Sequence, residues 1–119
     1  MPQVTDETVV KACGECHLTF HPSVLPAVSW RKMMATLKDH FGEDATMKPS
    51  LRDTVGTYLI ANAEKGGDAA NPPMRFTESG WFLQEHSEGD IEGMIRARNV
   101  ETWTDCLACH RNAQHGIWD

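Results

Sequence analysis

The sequence predicts a mostly α-helical protein with little or no β-sheet. Two segments place apolar residues at helical spacing, with polar residues on the other side. They are Trp30, Met33, Met34, Leu37 and Phe41 in the first, and Leu51, Val55, Tyr58 and Leu59 in the second. No stretch alternates apolar and polar residues for long enough to predict a strand. At 119 residues, 40% of them hydrophobic, the chain suits a small compact fold.

Three helices are predicted in the N-terminal half. The first covers residues 6–18, with Thr5 as its N-cap and acidic residues in its first turn. Two prolines in the following segment, TFHPSVLPAV, interrupt it and predict a loop. The second helix is predicted to begin behind Ser29 as its cap and to stop at Gly42. The third begins near Pro49 and ends at the glycine pair of GGDAANPPMR.

That glycine- and proline-rich segment, residues 66–75, is predicted to be a linker. It separates an N-terminal lobe of residues 1–65 from a smaller C-terminal lobe of residues 76–119, and the two pack together as one unit. In the C-terminal lobe, Thr77 is the predicted cap of a short helix over ESGWFLQEHSEG. Two further short helices are predicted in DIEGMIRARN and in TDCLACHRNAQHG, the last ending near its glycine.

The charge of the chain excludes one class of partner and favours another. The net charge is −6 at pH 7, and no run of Lys and Arg is long enough to bind a phosphate backbone, so a nucleic-acid partner is not expected. An acidic surface instead steers encounters with a partner that carries a basic patch. No stretch approaches the roughly 20 apolar residues of a membrane span. The N-terminus MPQVTDET is not a signal peptide, so an exported form is expected to have lost its signal peptide already.

All four cysteines lie in two copies of Cys-x-x-Cys-His. The copies are Cys13, Cys16 and His17 in CGECH, and Cys106, Cys109 and His110 in CLACH. On a helix, positions i, i+3 and i+4 share one face. Two thiols spaced in this way can add to the two vinyl groups of a haem, and the adjacent imidazole then points at its iron. The motifs predict two covalently attached c-type haems, with His17 and His110 as proximal ligands.

Other uses of paired cysteines fit less well. Zinc ribbons keep their two cysteine pairs closer in sequence and do not require a histidine after each pair. A redox-active dithiol lies at the start of a helix in a βαβ unit, which the sequence does not predict. A disulfide within Cys-x-x-Cys would close a very small loop and stabilise the fold little.

Each iron needs a second axial ligand, and His21, His40, His86 and His115 remain. A histidine a few residues beyond the proximal one tends to stay on the same side of the haem, which disfavours His21 and His115. At about 100° per residue, His40 lies roughly 80° from the centre of its helix's apolar stripe and can face a haem edge.

His86 follows Phe82 by four residues and Leu83 by three, so it lies on an apolar helix face. By proximity in sequence, we pair His17 with His40 and His86 with His110. The crossed arrangement stays open, as does ligation of the other lobe's haem by His21 or His115.

Methionine is the rival distal ligand, because a thioether raises the reduction potential while a second imidazole keeps it low. Met33 and Met34 lie on the apolar face of their predicted helix, where packing is the commoner role. Met47 and Met74 lie in predicted loops and are the main candidates, and Met94 is also available.

Several segments resemble a known family. In order they are ACGECH, then LP and SW leading into DHFGEDA, then WFLQEH, and finally CLACH. Together they are similar to the small bacterial dihaem cytochromes c called DHC, over nearly the whole chain. The resemblance implies a small helical cytochrome c of the periplasm, with two low-potential haems that each have two histidine ligands.

The resemblance also implies partners, namely a b-type membrane cytochrome and a small oxygen-binding monohaem cytochrome c. The chain departs from the family pattern at His21, at His115 and in SEGDIEGMIRARNVETW.

The leading functional hypothesis is therefore one-electron transfer without bond chemistry. The alternative is a small haem enzyme or gas sensor, peroxidase-like, with one open or labile iron position. Four tryptophans can line such a pocket, although packing is their usual role. They are Trp30, Trp81, Trp103 and Trp118. A haem module of a larger redox complex is a third possibility.

Overall fold

A computed structural model describes residues 1–67, 69–87, 89 and 91–118 of the chain. The helices are α1 (Glu7–Gly14), α2 (Ala27–Ala35), α3 (Pro49–Ala61), α4 (Gly80–Glu85) and α5 (Ile91–Ala97). Short 3₁₀ turns connect them at Pro22–Val24, Leu37–Asp39, Phe76–Glu78, Cys106–Ala108 and Ala113–His115. Within the described residues the only β-type pairings are isolated bridges between Pro26 and Glu64 and between His40 and Glu43. The prediction of a mostly helical fold is confirmed.

The chain forms two compact units. Unit 1 combines Met1–His21 with Arg75–Asp119, and unit 2 is Pro22–Met74. Unit 1 therefore contains both Cys-x-x-Cys-His motifs. These units differ from the predicted lobes 1–65 and 76–119, because the N-terminal residues pack with the C-terminal ones. The assignment of one haem to each lobe stays a prediction.

Unit 2 is built on the packing of α2 against α3. Its core includes Leu25, Trp30, Met33, Leu37, Val55 and Leu59. Helix α2 begins behind Pro26, not behind Ser29, which is fully buried inside the helix, so the predicted cap is wrong. Helix α3 begins with Pro49 as predicted, where the missing N–H costs nothing, but ends at Ala61, before the glycine pair.

The predicted continuation of α2 to Gly42 is also wrong. Helix α2 ends at Ala35, and a tight turn follows in which Phe41 has φ 52° and Gly42 has φ 93°. Two successive left-handed residues cannot continue a right-handed helix. The turn is closed by hydrogen bonds from His40 N–H to the Glu43 carbonyl at 2.7 Å and from Glu43 N–H to the His40 carbonyl at 3.1 Å. The helical-phase argument for His40 therefore does not hold.

Unit 1 begins with α1, whose N-cap is Asp6 and not Thr5. The Asp6 Oδ1 accepts hydrogen bonds from the backbone N–H groups of Thr8 and Val9, at 3.0 and 3.3 Å. The helix ends at Gly14, four residues earlier than predicted. Helix α4 is capped by Ser79, whose hydroxyl accepts from Phe82 N–H at 3.4 Å, and not by Thr77.

The C-terminal part of unit 1 is less helical than predicted. In place of one helix over TDCLACHRNAQHG, it has the two 3₁₀ turns Cys106–Ala108 and Ala113–His115. Gly116 follows with φ 75°, and a Cβ there would lie 3.0 Å from the Gln3 nitrogen, so the position requires glycine. Beside it, Trp118 Nε1 donates to the Met1 carbonyl at 2.8 Å, which fastens the N-terminal segment to the C-terminal one.

Among the described residues, none of the helices is both long and apolar enough to span a membrane.

Candidate haem-binding sites

The first Cys-x-x-Cys-His motif straddles the C-terminal end of α1. Cys13 is in the last turn of the helix and half-buried, whereas Cys16 and His17 follow its end. The three side chains thus do not share one continuous helix, as the spacing argument assumed. His17 Nδ1 donates to the Leu18 carbonyl at 2.7 Å. Burial raises the pKa of the Cys13 thiol, which keeps it protonated at neutral pH.

The second motif is held in a 3₁₀ turn. Backbone N–H groups of Cys109 and His110 both donate to the Cys106 carbonyl, at 3.2 and 2.7 Å, so the motif is wound into one compact turn. Burial raises the pKa of Cys106 to about 11. None of the four cysteines is paired in a disulfide, so each sulfur is available for a thioether bond to a vinyl group.

His86 and His110 are brought together within unit 1. Their ring centroids are 6.3 Å apart and their planes are at 89°. Two imidazoles bound through nitrogen to opposite sides of one metal, with bonds of about 2.0–2.1 Å, place their centroids roughly 6 Å apart. The spacing of these rings therefore fits one iron between them.

The hydrogen bonds of two histidines match what a metal ligand needs. His86 Nδ1 donates to the Phe82 carbonyl at 2.8 Å, and His17 makes the equivalent bond to Leu18. In a neutral imidazole, a proton held on Nδ1 leaves Nε2 as the unprotonated nitrogen, which is the one that binds metal. Both side chains are thus in the tautomer that a haem iron requires.

A cavity of about 970 Å³ in unit 1 connects the two motifs. Its lining includes Val10, Cys16, His17, Cys106 and Leu107. The volume is at the upper end of the range of about 300–1,000 Å³ that small-molecule and cofactor sites span. Thiols, an imidazole and aliphatic surface in one large cavity fit a bulky apolar group attached through sulfur.

His40 lies in unit 2, in the tight turn after the 3₁₀ turn Leu37–Asp39. It borders a second cavity, of about 360 Å³, together with Met33 and Met74. Its ring centroid is 4.8 Å from that of Phe41. Met74, one of the two loop methionines named as rival ligands, thus shares a cavity with a candidate histidine.

The two disfavoured histidines lie elsewhere in unit 1. The backbone N–H of His21 contacts the Met1 sulfur at 3.3 Å. Burial, and then the positive N-terminus, lower the pKa of His21. His115 is exposed in the turn Ala113–His115.

Sequence reasoning missed the aromatic residues that pack on the ligand candidates. Phe20 stacks on His17 at 4.9 Å, and Trp118 lies 5.3 Å from His110. Phe82 stacks on His86 at 4.1 Å, a contact that its four-residue spacing did predict. The signal for Phe20 was its position three residues after a proximal histidine.

The zinc alternative has no support in the geometry. A structural zinc site needs four ligands around one point. Across the part of the chain that the structure describes, no three His, Cys, Asp or Glu side chains converge in a way that would hold an ion.

Comparison with solved structures identifies proteins of the same fold. The crystal structure of DHC purified from Rhodobacter sphaeroides is 35% identical in sequence and has a TM-score of 0.83, covering 97% of this chain and 98% of its own. A diheme cytochrome c from Rhodobacter sphaeroides is 32% identical with a TM-score of 0.87, covering 98% and 99%. The diheme cytochrome sb-DHC from Shewanella baltica OS155 is 29% identical with a TM-score of 0.80, covering 95% and 86%.

No curated protein sequence matches the chain significantly. The sequence pattern of one family does, since that of "DHC: Dihaem cytochrome c" matches residues 9–118 and so includes both Cys-x-x-Cys-His motifs. The chain belongs to the dihaem cytochrome c family.

Proposed function

We propose that this protein is a low-potential one-electron carrier of the periplasm whose two haems each have two histidine ligands. Family membership gives it two c-type haems and implies electron transfer. The observation that carries the proposal is the spacing of His86 and His110, whose ring centroids are 6.3 Å apart. When bound, each haem supplies a one-electron couple at its iron.

The chain's own residues hold each haem in three ways. Cys13 with Cys16, and Cys106 with Cys109, provide the thiols for covalent attachment. His17 and His110 are the proximal ligands in this proposal. His86 is the distal ligand of the second haem, and its bond to the Phe82 carbonyl fixes the orientation of its imidazole.

For the first haem, His40 remains the proposed distal ligand. Its case rests on the family resemblance, on its place beside a cavity in unit 2 and on the sequence positions of His21 and His115, which disfavour those two histidines. Met74 borders the same cavity and is the residue to compare with it.

An iron with histidine on both sides has no open position for oxygen, peroxide or nitrite. Ligation by two imidazoles also keeps the reduction potential of a haem lower than ligation by one imidazole and one thioether does. Both consequences favour a carrier over a catalyst.

Carbon monoxide tests this ligation directly. We expect the visible spectrum of the reduced holoprotein to stay unchanged when carbon monoxide is added, because every axial position is filled. A haem protein with a five-coordinate iron is treated in parallel as a control. Its spectral shift shows that enough carbon monoxide is present to saturate an open iron position. A shifted Soret band at one haem would instead support the small haem enzyme or gas sensor.

The charge distribution supports a basic partner that docks on unit 1. Unit 1 has 11 acidic and 5 basic side chains, whereas unit 2 has 6 of each, so the whole net charge of −6 arises from unit 1. Unit 1 also holds both attachment motifs. The family resemblance suggests a small oxygen-binding monohaem cytochrome c and a b-type membrane cytochrome as partners.

Charge reversal in unit 1 is expected to slow electron transfer to a basic acceptor. The double variant Glu85→Lys with Glu92→Lys changes two exposed acidic residues of unit 1. Stopped-flow oxidation of the reduced protein by a basic c-type cytochrome should be about tenfold slower at low salt, with the difference lost at high salt. Asp53→Lys in unit 2 is the control. An equal effect of both changes would argue against docking on unit 1.

A further inference from the structure

Three phenylalanine rings in unit 1 connect a histidine of the first motif with the proposed distal ligand of the second haem. We call this set, Phe20, Phe76 and Phe82, the phenyl bridge. Phe20 lies three residues after His17 of the first motif, Phe76 begins a 3₁₀ turn, and Phe82 lies in α4. Phe76 and Phe82 are close in sequence, whereas Phe20 is distant from both and meets them only through folding.

Each contact of the phenyl bridge is within aromatic packing distance. Phe20 stacks on His17 with centroids 4.9 Å apart and planes at 14°. Phe20 meets Phe76 edge to face at 4.6 Å, and Phe76 meets Phe82 in the same way at 5.7 Å. Phe82 stacks on His86 at 4.1 Å and 23°. Stacked and edge-to-face geometries are those that the charge distribution of aromatic rings favours.

The end rings of the bridge restrain two imidazoles. A ring lying flat against an imidazole opposes rotation of that imidazole about its bond to a metal. For His86 the restraint is double, because the Phe82 carbonyl accepts a hydrogen bond from its Nδ1 while the Phe82 ring stacks on it. His17 is held by the Leu18 carbonyl and the Phe20 ring in the same way.

Phe76 is the central ring of the phenyl bridge, and its position links the two end rings. It is buried, with 6% of its surface exposed, as is Phe82. It packs between Phe20 and Phe82 and meets both rings edge to face. A change at Phe76 therefore reaches both histidines through their stacking partners, in a tightly packed interior.

We propose that Phe76 is a positioning residue for both haems, because it fixes the two rings that set the orientations of the His17 and His86 imidazoles. The inference rests on the histidine ligation proposed above. It goes beyond that proposal in linking the two ligand orientations through one side chain that is not a ligand.

Electron paramagnetic resonance of the oxidised holoprotein tests this, because the g values of a low-spin ferric haem depend on the orientation of its axial imidazole planes. In Phe76→Leu, the low-spin signals of both haems are expected to shift, while intact mass still shows two haems. Trp81→Leu is the control. Trp81 stacks on Phe76 at 6.1 Å but is 44% exposed, so its loss should leave the signal of the haem at Cys13 and Cys16 unchanged.

A shift confined to one haem, or no shift at all, would overturn the proposal. If Phe76→Leu does not mature with both haems, Phe76→Met keeps the volume without the ring and is measured in its place. Failure of the ligation proposal is separate, since it shows in the unsubstituted protein as a high-spin signal or as carbon monoxide binding.

Discussion

Replacing His86 by Met is expected to raise the reduction potential of one haem by on the order of 0.1 V, within the span of about 0.8 V that axial ligands cover. A thioether donates less charge to iron than an imidazole and so stabilises the ferric state less. His86 also lies at the end of α4, where Phe82 holds it through both ring and carbonyl. A spectroscopic redox titration that resolves the two haems measures the change, and the other haem should titrate as before.

His115→Met is the matched control for this experiment. His115 belongs to the same unit but is exposed in a turn, so its replacement should leave both potentials unchanged. An unaltered titration in His86→Met would remove His86 as a ligand. A changed reduction potential in His115→Met would instead indicate that His115 is a ligand, although its closeness to His110 in the sequence disfavours it.

The double variant Cys106→Ser with Cys109→Ser is expected to lose one covalently attached haem and much of the stability of unit 1. Eight large apolar side chains are exposed among the described residues, and seven belong to unit 1. They are Val10, Trp81, Leu83, Met94, Trp103, Leu107 and Ile117. Val10 and Leu107 of this group line the cavity of unit 1, where a bound haem would cover them. Covering about 200 Å² of apolar surface contributes roughly 5 kcal/mol at about 25 cal/mol per Å². That is comparable to the whole stability of a small domain, about 5–15 kcal/mol.

Intact mass spectrometry counts the attached haems, and thermal unfolding followed by circular dichroism measures the loss of stability. The single variant Cys109→Ser is the control, because it keeps one thioether link and should retain the haem. A double variant that still carries two haems by mass would contradict the assignment of this motif.

The chemistry of the sites could be predicted from the sequence better than their local structure could. Cys-x-x-Cys-His carries its meaning in residue types and spacing, so it pointed to haem even though Cys106 lies in a 3₁₀ turn and not in a helix. Two helix caps were predicted one or two residues too early, at Thr5 in place of Asp6 and at Thr77 in place of Ser79. Neighbouring Ser, Thr and Asp side chains compete for such positions, and local pattern does not decide between them.

His40 shows a different limit of prediction. Its helical phase was derived from apolar spacing that continues to Phe41, yet the chain turns there because Phe41 and Gly42 take left-handed conformations. The apolar periodicity therefore continues in the sequence beyond the end of helix α2. The two segments that form unit 1 could also not be predicted from the sequence, since contacts such as that of Trp118 with Met1 join residues at opposite ends of the chain.

The discontinuity of unit 1 sets an order of assembly. Residues 22–74 form a continuous insertion that can condense as soon as they emerge, whereas Met1–His21 must wait for Arg75–Asp119. The thiols of Cys13 and Cys16 are thus synthesised before the C-terminal residues that share their unit. Unit 1 can therefore complete its fold only when the last residues of the chain are present.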